Sequence, residues 1–342
     1  MSKVKIICTL GPASGSAGVL TRMMRSGMDV VRLNFSHGSQ AEHLQHIKMI
    51  RLINKKNRRH IRILGDLEGY RIRIGKLKGG IPLELKKGQD IHLTGQDIEG
   101  AADRIPFDYT GPLESIRKGQ SIFIDDGNIA LEAEGFDKKG VKAKVIVGGF
   151  LKEHKGVNMP GLKLAFKGLT AKDKVNITFC LDQKIDFIAQ SFVRDQEDIL
   201  ALKKFIGMHA HQPALIAKIE NRDGVRNIDR IMAVSQGIMI ARGDMGVSLP
   251  VYEVPMIQKS IIKKCNQAGI FVITATQMLE SMIHNRLPTR AEVSDVANAI
   301  LDGTDFVMLS AESAVGHDPA GCVAMMENVI RFTEQSSRQD NG

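Results

Sequence analysis

Eight short apolar runs, often rich in β-branched residues, recur along the chain and constrain its fold more than any other feature. The first is KIICTLG near residue 5 and the last is DFVMLSAES near residue 305. Helical patterns such as AEHLQHIKMIRLINK separate most of them. Apolar strands that alternate with helices indicate a parallel sheet covered on both faces. Eight such units predict a (β/α)8 barrel.

One segment between two of the apolar runs has a different pattern of residues. Residues 71–156, between the third and fourth runs, are rich in Gly and alternate apolar and polar residues, as in IFIDDGNIALEAEG. This pattern predicts an inserted all-β domain, barrel-like in form, which we interpret as a lid. The remaining residues, 1–70 and 157–342, come close to the roughly 250 residues of a typical (β/α)8 barrel and are predicted to form the catalytic domain.

The net charge of +9 suggests an anionic partner. The basic run NKKNRRH at residues 54–60 is the best support for nucleic acid. Elsewhere Lys and Arg are thinly spread, the chain has no Trp, and basic and aromatic residues do not interleave as they do in nucleic-acid-binding proteins. Small anionic substrates explain the same charge, so we expect no nucleic-acid partner.

The distribution of apolar residues and cysteines predicts a cytoplasmic protein that makes no membrane contact. No apolar run reaches the roughly 18 residues of a membrane span. The start, MSKVKIICTLGPAS, lacks the long apolar region of a signal peptide. The cysteines are far apart and form no CxxC pair, which favours buried reduced thiols over disulfides or a zinc site.

Polar side chains follow the apolar runs at the carboxyl ends of the predicted strands, where (β/α)8 barrels place their active sites. In chain order they are Arg32, Asn34, Ser36, His37, Asp66, Lys218, Glu220, Asp244, Thr276, Ser310 and Glu312. Any one of them alone would be an ordinary loop residue. Their coincidence at the ends of six strands predicts a single active site.

Lys218 and Glu220 lie two residues apart in IAKIEN, so in a strand they point to the same face. Glu220 and Asp244 are hard oxygen ligands of the kind that Mg²⁺ prefers. Lys218 can then neutralise a phosphoryl group during its transfer. The alternative is a structural ion pair between Lys218 and Glu220 in the barrel mouth.

No GxxxxGK[ST] loop occurs and no GxGxxG follows a strand, so a bound nucleotide must be held by side chains and the insert. Gly243, in ARGD, lets the backbone approach a ligand closely.

Several longer segments identify a family that the chain resembles. They include KIICTLGPAS, VVRLNFSHG, KGVNMPG, AKIENRDGVRNID and GIMIARGDMGV, and the run from Thr274 to Gly316 is the most specific. Along essentially its whole length the chain resembles pyruvate kinase. The resemblance implies transfer of a phosphoryl group from phosphoenolpyruvate to ADP, giving pyruvate and ATP, with Mg²⁺ or Mn²⁺ as cofactor.

The resemblance also implies roles for individual residues. Lys218 and Arg32 would contact the transferred phosphoryl group. Substrate carboxylate contacts would come from the backbone of Ala241, Arg242, Gly243 and Asp244, with Thr276 beside them. Thr276, Ser310 and Glu312 would help deliver a proton to the enolate. Nucleotide contacts would come from Arg73, Lys155, His37 and Asn34. Glu220 and Asp244 would bind Mg²⁺, and the family's K⁺ site would comprise Asn34, Ser36, Asp66 and the carbonyl of Leu67.

This sequence departs from the family pattern in DLEGYRIR, at the predicted lid hinge. Glu68 stands where the family usually has Gln or Lys, and Tyr70 stands where it usually has Pro. Arg71 occupies a position that carries Glu in K⁺-dependent relatives and Lys in K⁺-independent ones. We therefore expect activity without K⁺, with the alternative that Arg71 points to solvent.

A further departure is that the sequence stops soon after the last barrel helix. The family's usual C-terminal domain, which often carries a regulatory site, has no counterpart in it. Because the barrel interface is the one that remains, we expect a homodimer formed through the barrel domains.

Two other interpretations of the protein's function remain open at this point. One is a different phosphoenolpyruvate or keto-acid enzyme on a barrel, such as an aldolase, against which the insert and TATQMLESM argue. The other is a catalytically impaired binding or regulatory relative, against which retention of Lys218, Glu220 and Asp244 argues.

Overall fold

The computed structural model describes residues 3–162 and 168–339. The chain divides into two compact units. The barrel unit comprises Met1–Gly69, Leu169–Arg242 and Tyr252–Gly342. The insert unit comprises Tyr70–Gly168 and Gly243–Val251.

Eight parallel strands close the barrel, which confirms the predicted fold class. Numbered in chain order with the strands of the insert, they are β1 (Lys5–Thr9), β2 (Met28–Asn34), β3 (Arg62–Asp66), β13 (Phe187–Gln190), β14 (Ala214–Ile219), β15 (Gly237–Ala241), β16 (Phe271–Ala275) and β17 (Phe306–Leu309). Closure comes from β1, which pairs with β2 on one side and with β17 on the other.

The barrel interior is filled by apolar side chains from the strands, which is why the strand sequences are apolar throughout. A buried cluster inside the barrel includes Ile7, Val30, Leu64, Ile216 and Met308. Residues on the opposite face of each strand are buried beneath the helices, so both faces exclude water.

Helices follow most of the barrel strands. They are α1 (Ala17–Ser26), α2 (Gln40–Asn57), α3 (Ala171–Asp182), α4 (Gln196–Ile206), α5 (Arg222–Arg226), α6 (Ile228–Met232), α7 (Arg242–Ser248), α8 (Val254–Ala268), α9 (Arg290–Leu301), α10 (Ala311–Ala314) and α11 (Pro319–Gln339). Short 3₁₀ turns lie at Lys78–Gly80, Leu113–Ser115, Val251–Glu253 and Glu280–Ile283.

Local sequence sets where two of the longer helices begin. Ser39 with Glu42 starts α2, and Thr289 with Glu292 starts α9, each as a reciprocal capping box. Each cap satisfies two backbone N–H groups that the first helical turn cannot satisfy itself.

The insert unit is built almost entirely of strands. They are β4 (Ile72–Arg73), β5 (Leu83–Leu85), β6 (Asp90–Thr94), β7 (Arg104–Pro106), β8 (Ser121–Ile124), β9 (Ile129–Asp137), β10 (Gly140–Val147), β11 (Gly149–Leu151) and β12 (Gly156–Asn158). Seven form one sheet in the order β4-β12-β8-β9-β10-β6-β7, and β11 pairs with β5. Its core contains Ile91, Leu93, Ile122, Leu131 and Val141.

The insert unit is longer than residues 71–156, the segment predicted from the sequence pattern. Strand β12 continues to Asn158 because it pairs with both β4 and β8. Residues 243–251 join the unit from a distant part of the chain, and the side-chain amide of Asn158 donates to Ser248 Oγ at 2.8 Å.

The barrel unit's first segment ends at Gly69, whose backbone requires glycine. Its φ is +70°, and a Cβ there would lie 2.9 Å from the carbonyl oxygen of Ser191. Its N–H donates to Asp173 Oδ1 at 3.2 Å, which fixes the turn.

Among the described residues, the structure contains no helix that combines the length and the apolar character needed to cross a membrane.

Candidate active site

Lys218, at the carboxyl end of β14, is the centre of a buried charged cluster in the barrel unit. Its Nζ lies 3.2 Å from Glu220 Oε1 and 3.1 Å from Asp66 Oδ1. It also donates to Ser191 Oγ at 2.6 Å. Only 10% of the Lys218 side chain is exposed. The same-face spacing of Lys218 and Glu220 therefore brings an ammonium and a carboxylate together at the mouth of the barrel.

Asp66, at the end of β3, is shared by two cations. Arg32 Nε lies 2.7 Å from Asp66 Oδ2, and Lys218 lies against Oδ1. Burial by itself raises the pKa of Asp66, but the charges and hydrogen bonds of Lys218 and Arg32 outweigh it and hold that pKa below its ordinary value. Asp66 is therefore ionised at neutral pH and keeps both cations in place.

Glu220 is fixed by the backbone as well as by Lys218. Its Oε2 accepts the N–H of Phe192 at 2.5 Å, and the residue is 1% exposed. The ion pair that sequence analysis left as an alternative role for Lys218 and Glu220 is thus present. Its burial distinguishes it from a surface pair, since buried charges require close partners.

The oxygens of the predicted K⁺ site already accept hydrogen bonds from protein groups. Asn34 Oδ1 accepts the N–H of Ser36 at 3.1 Å, and the carbonyl of Leu67 accepts the Ser191 hydroxyl at 2.6 Å. Asp66 is bound by Arg32 and Lys218. Each of these three residues therefore has at least one protein partner at the predicted site.

Glu312 and Ser310, after β17, are joined through the backbone. Glu312 Oε2 accepts the N–H of Ser310 at 2.7 Å, and Oε1 accepts the N–H of Leu279 at 3.1 Å. Burial raises the pKa of Glu312, and these N–H bonds oppose the rise. Both carboxylate oxygens therefore brace the loops that follow β16 and β17.

Thr276, just beyond β16, has an unusual backbone. Its φ is +68°, which is rare for a β-branched residue, and its hydroxyl donates to the carbonyl of Ala275 at 2.6 Å. Arg242 follows β15, and its guanidinium binds the carbonyl of Thr276 and the carboxylate of Asp295. The Arg242 side chain is thus committed to protein acceptors, which leaves its backbone for the predicted substrate contact.

A cleft of about 790 Å³ in the barrel unit collects several of the predicted residues. Arg32, Asn34, His37 and Ser310 line it. Sequence analysis missed others that contribute to the same wall, namely Thr9, Pro12, Glu42, His43 and His46. The structure therefore joins the two barrel residues predicted to bind nucleotide with Arg32 and Ser310.

Arg73 and Lys155 both lie in the insert unit. Arg73 pairs with Gly156 between β4 and β12, and the N–H of Ile74 donates to the carbonyl of Lys155 at 2.8 Å. Arg73 Nη1 donates to the carbonyl of His154 at 3.1 Å, and Lys155 Nζ lies 2.7 Å from Asp125 Oδ1.

Arg71 belongs to the same unit and binds two carboxylates. Its Nη2 lies 2.6 Å from Asp126 Oδ1 and 3.4 Å from Asp244 Oδ1. One quarter of the Arg71 side chain is exposed. The guanidinium is thus ion-paired within the insert unit.

The chemistry of the predicted metal ligands suits Mg²⁺ or Mn²⁺. Within residues 3–162 and 168–339, no three His, Cys, Asp or Glu side chains gather into a metal centre. Mg²⁺ commonly takes only one or two carboxylates and completes its shell with water and substrate oxygens. Glu220, in the barrel unit, and Asp244, in the insert unit, are each a carboxylate of this kind.

Ser191 is the most important residue that sequence analysis did not single out. Its hydroxyl links Lys218, the carbonyl of Leu67 and, at 3.4 Å, Asp66 Oδ1. The signal was available, because Ser191 follows the buried strand β13 just as the other site residues follow theirs.

Charged residues at the carboxyl ends of the strands, with two buried cations held by carboxylates, define a (β/α)8-barrel protein with a site suited to an anionic ligand. A family model described as pyruvate kinase, barrel domain, matches residues 1–323. The chain belongs to the pyruvate kinase family.

Similarity to individual proteins is high over nearly the whole chain. It is 47% identical over 98% of its length to a pyruvate kinase from Geobacillus stearothermophilus, and 45% identical over 97% to one from Thermococcus litoralis. A crystal structure of a pyruvate kinase from Cryptosporidium parvum superposes with a TM-score of 0.92 at 39% identity, covering 98% of this chain and 70% of that one.

The match covers a smaller share of the relatives' own lengths than of this chain. This chain spans 57% of the Geobacillus stearothermophilus protein and 70% of the Thermococcus litoralis protein.

Proposed function

We propose that this protein transfers the phosphoryl group of phosphoenolpyruvate to ADP, giving pyruvate and ATP in the last step of glycolysis. The observation that carries the proposal is the buried Lys218, held between Glu220 and Asp66 with Arg32 on the other side of Asp66. Its support is that two buried cations, held by carboxylates in a pyruvate kinase family barrel, offer the positive charge that a phosphoryl group in transfer needs.

Lys218 and Arg32 would bind the phosphoryl oxygens and stabilise the charge that develops during transfer. Glu220 and Asp244 would hold Mg²⁺ or Mn²⁺, whose positive charge would favour the transfer. Asn34 and His37, in the cleft of the barrel unit, and Arg73 and Lys155, in the insert unit, would hold the nucleotide. The role of the insert as a lid stays a prediction.

The enolate that remains after transfer must gain a proton on its terminal carbon to become pyruvate. We propose that Thr276 and Ser310 deliver this proton. Glu312 would support them by bracing Ser310 and the loop after β16, since both of its oxygens bind backbone N–H groups. The backbone of residues 241–244 would orient the substrate carboxylate, with Thr276 beside it.

The decisive test is turnover of phosphoenolpyruvate and ADP with Mg²⁺, followed as pyruvate formed. We expect activity in the wild type and its loss in Lys218→Met, because removing a buried cation from the phosphoryl site should cost several kcal/mol of transition-state stabilisation, roughly 100-fold or more in kcat. Lys172→Met is the matched control. Lys172 is a largely exposed lysine of the barrel unit that pairs with Glu68 at 2.5 Å.

Wild-type protein without turnover would support the alternative of a catalytically impaired relative. Full activity in Lys218→Met would instead show that the buried lysine has only a structural role.

We further propose that turnover does not require K⁺. The support is that Asp66 is already neutralised by Arg32 and Lys218, while Asn34 Oδ1 and the carbonyl of Leu67 each accept a hydrogen bond from the protein. Adding K⁺ to a buffer free of K⁺ and Na⁺ should change kcat by less than about twofold, within the range of weak ionic-strength effects. Strong activation by K⁺ that tetramethylammonium does not reproduce would contradict this.

We place the protein in the cytoplasm and propose that it is a homodimer. All four cysteines, Cys8, Cys180, Cys265 and Cys322, are buried free thiols, as is usual in a reducing compartment. For the dimer, the support is the barrel interface that the family resemblance implies, and Leu301 at the end of α9 is 61% exposed.

A further inference from the structure

The guanidinium of Arg242 binds three consecutive backbone carbonyls at the end of β16. Nη2 donates to the carbonyl oxygen of Thr276 at 2.6 Å and to that of Gln277 at 3.2 Å. Nε donates to the carbonyl oxygen of Ala275 at 3.3 Å. A single side chain thus gathers the backbone of the loop that carries Thr276.

The other side of the same guanidinium is anchored to two helices. Nη1 lies 2.8 Å from Asp295 Oδ1 and 2.7 Å from Oδ2, and Asp295 belongs to α9. Nη1 also donates to Gln258 Oε1 of α8 at 3.3 Å. Arg242 is 9% exposed, so its charge is buried and depends on the Asp295 carboxylate for neutralisation.

The loop that Arg242 holds has a backbone that rarely forms without support. Thr276 has φ +68° and Gln277 has φ +52°, so two consecutive non-glycine residues lie in the left-handed region. Such residues persist where the surrounding structure over-determines them, and they concentrate at functional sites. The carbonyls of these two residues are the ones that Arg242 Nη2 binds.

We infer that Arg242 and Asp295 form a positioning pair that holds Thr276 in its left-handed conformation for the reaction. The inference rests on the proposed function, in which Thr276 lies beside the substrate carboxylate and helps deliver the proton. The pair acts through Thr276, because the hydrogen bonds of the Arg242 side chain are made to protein acceptors. Its role is therefore distinct from the backbone contact that the family resemblance implies for Arg242.

The geometry requires arginine at this position. A guanidinium presents five N–H groups in a rigid plane, which lets it bind carbonyls on one edge and a carboxylate on another. A lysine keeps the charge but offers a single ammonium group on a flexible stem. Arg242→Lys therefore removes the planar set of N–H donors while retaining the positive charge. Asp295→Asn removes the negative charge that pairs with Arg242 while retaining the shape of the side chain.

We expect both substitutions to impair the use of phosphoenolpyruvate specifically. A misplaced loop of this kind should lower kcat/KM for phosphoenolpyruvate by about 100-fold, with a raised KM for that substrate. The KM for ADP should change by less than about twofold, because the nucleotide contacts proposed above lie elsewhere. A purely structural defect would lower the active fraction and leave both KM values as they were.

A double-mutant cycle tests whether the pair acts through Thr276. In a Thr276→Ala background the side chain to be positioned is gone, so Arg242→Lys should lower kcat/KM for phosphoenolpyruvate by less than about threefold, a strongly non-additive result. Asp302→Asn is the matched control, since Asp302 ends the same helix and pairs with Lys259 at 2.5 Å. It should leave the KM for phosphoenolpyruvate unchanged.

The inference is overturned if Arg242→Lys and Asp295→Asn leave the KM for phosphoenolpyruvate unchanged, or if their losses add fully to that of Thr276→Ala. It is also overturned if both variants fail to fold by circular dichroism, since the pair would then serve stability alone. Wild-type protein without turnover would overturn the proposed function itself, and this inference with it.

Discussion

At the scale of single residues, carboxylates of the site hold the backbone in place by accepting hydrogen bonds from its N–H groups, in addition to their proposed role as ligands. Glu312 shows this most clearly, because each of its oxygens accepts a different N–H. We predict that Glu312→Gln lowers the free energy of unfolding by about 1–3 kcal/mol, since an amide offers one acceptor oxygen and turns its NH₂ towards the second N–H. Urea unfolding at neutral pH measures the change. The exposed Glu99 of the insert unit provides the control, and Glu99→Gln should fall within about 0.5 kcal/mol of wild type. If Glu312→Gln were as stable as wild type, the two backbone hydrogen bonds of Glu312 would not contribute to stability as predicted.

At the scale of secondary-structure elements, helix α2 buries an imidazole, and its burial lowers the imidazole pKa. His43 packs edge-on against Phe35 at 4.9 Å, and its Nε2 lies 3.0 Å from the carbonyl of His37. Among the described residues its Nδ1 has no hydrogen-bond partner. Burial lowers the pKa of His43, so below its ordinary pKa of about 6.5 the unfolded chain takes up a proton that the folded protein does not.

We therefore predict that stability falls as the pH is lowered from about 7 to about 5.5, with His43 contributing up to about 1.4 kcal/mol per pH unit. His43→Gln retains a donor towards the His37 carbonyl and cannot titrate, so its unfolding free energy should depend less on pH. His60→Gln, at an exposed histidine, should keep the wild-type slope. Equal slopes in all three proteins, measured by urea unfolding at each pH, would rule out a role for His43.

At the scale of the whole molecule, the dimer proposed through the barrel interface can be tested at Leu301, which is exposed at the end of α9. A two-fold contact uses the same patch on both subunits and closes without further subunits. We predict that light scattering gives the mass of a dimer and that Leu301→Lys shifts it towards a monomer. Met208→Lys, at a fully exposed methionine on another part of the barrel unit, should leave the dimer intact. A wild-type monomer or tetramer would contradict this arrangement.

What the sequence determined by itself was everything that depends on short-range periodicity. Three features follow from such repeats: the eight barrel strands, the all-β character of the insert, and the meeting of Lys218 with Glu220. Residues two apart share a face of a strand, and residues three or four apart share a face of a helix, so neighbouring residues alone determine these features. The capping boxes that begin α2 and α9 belong to the same class.

The tertiary structure alone decided which distant groups meet. Asp66 and Lys218 lie far apart in sequence, and the register of the barrel strands places them 3.1 Å apart. The same holds for Arg242, whose partners lie on β16, α8 and α9. No local pattern encodes such contacts, because they arise only when closure of the barrel fixes the ends of separate strands against one another.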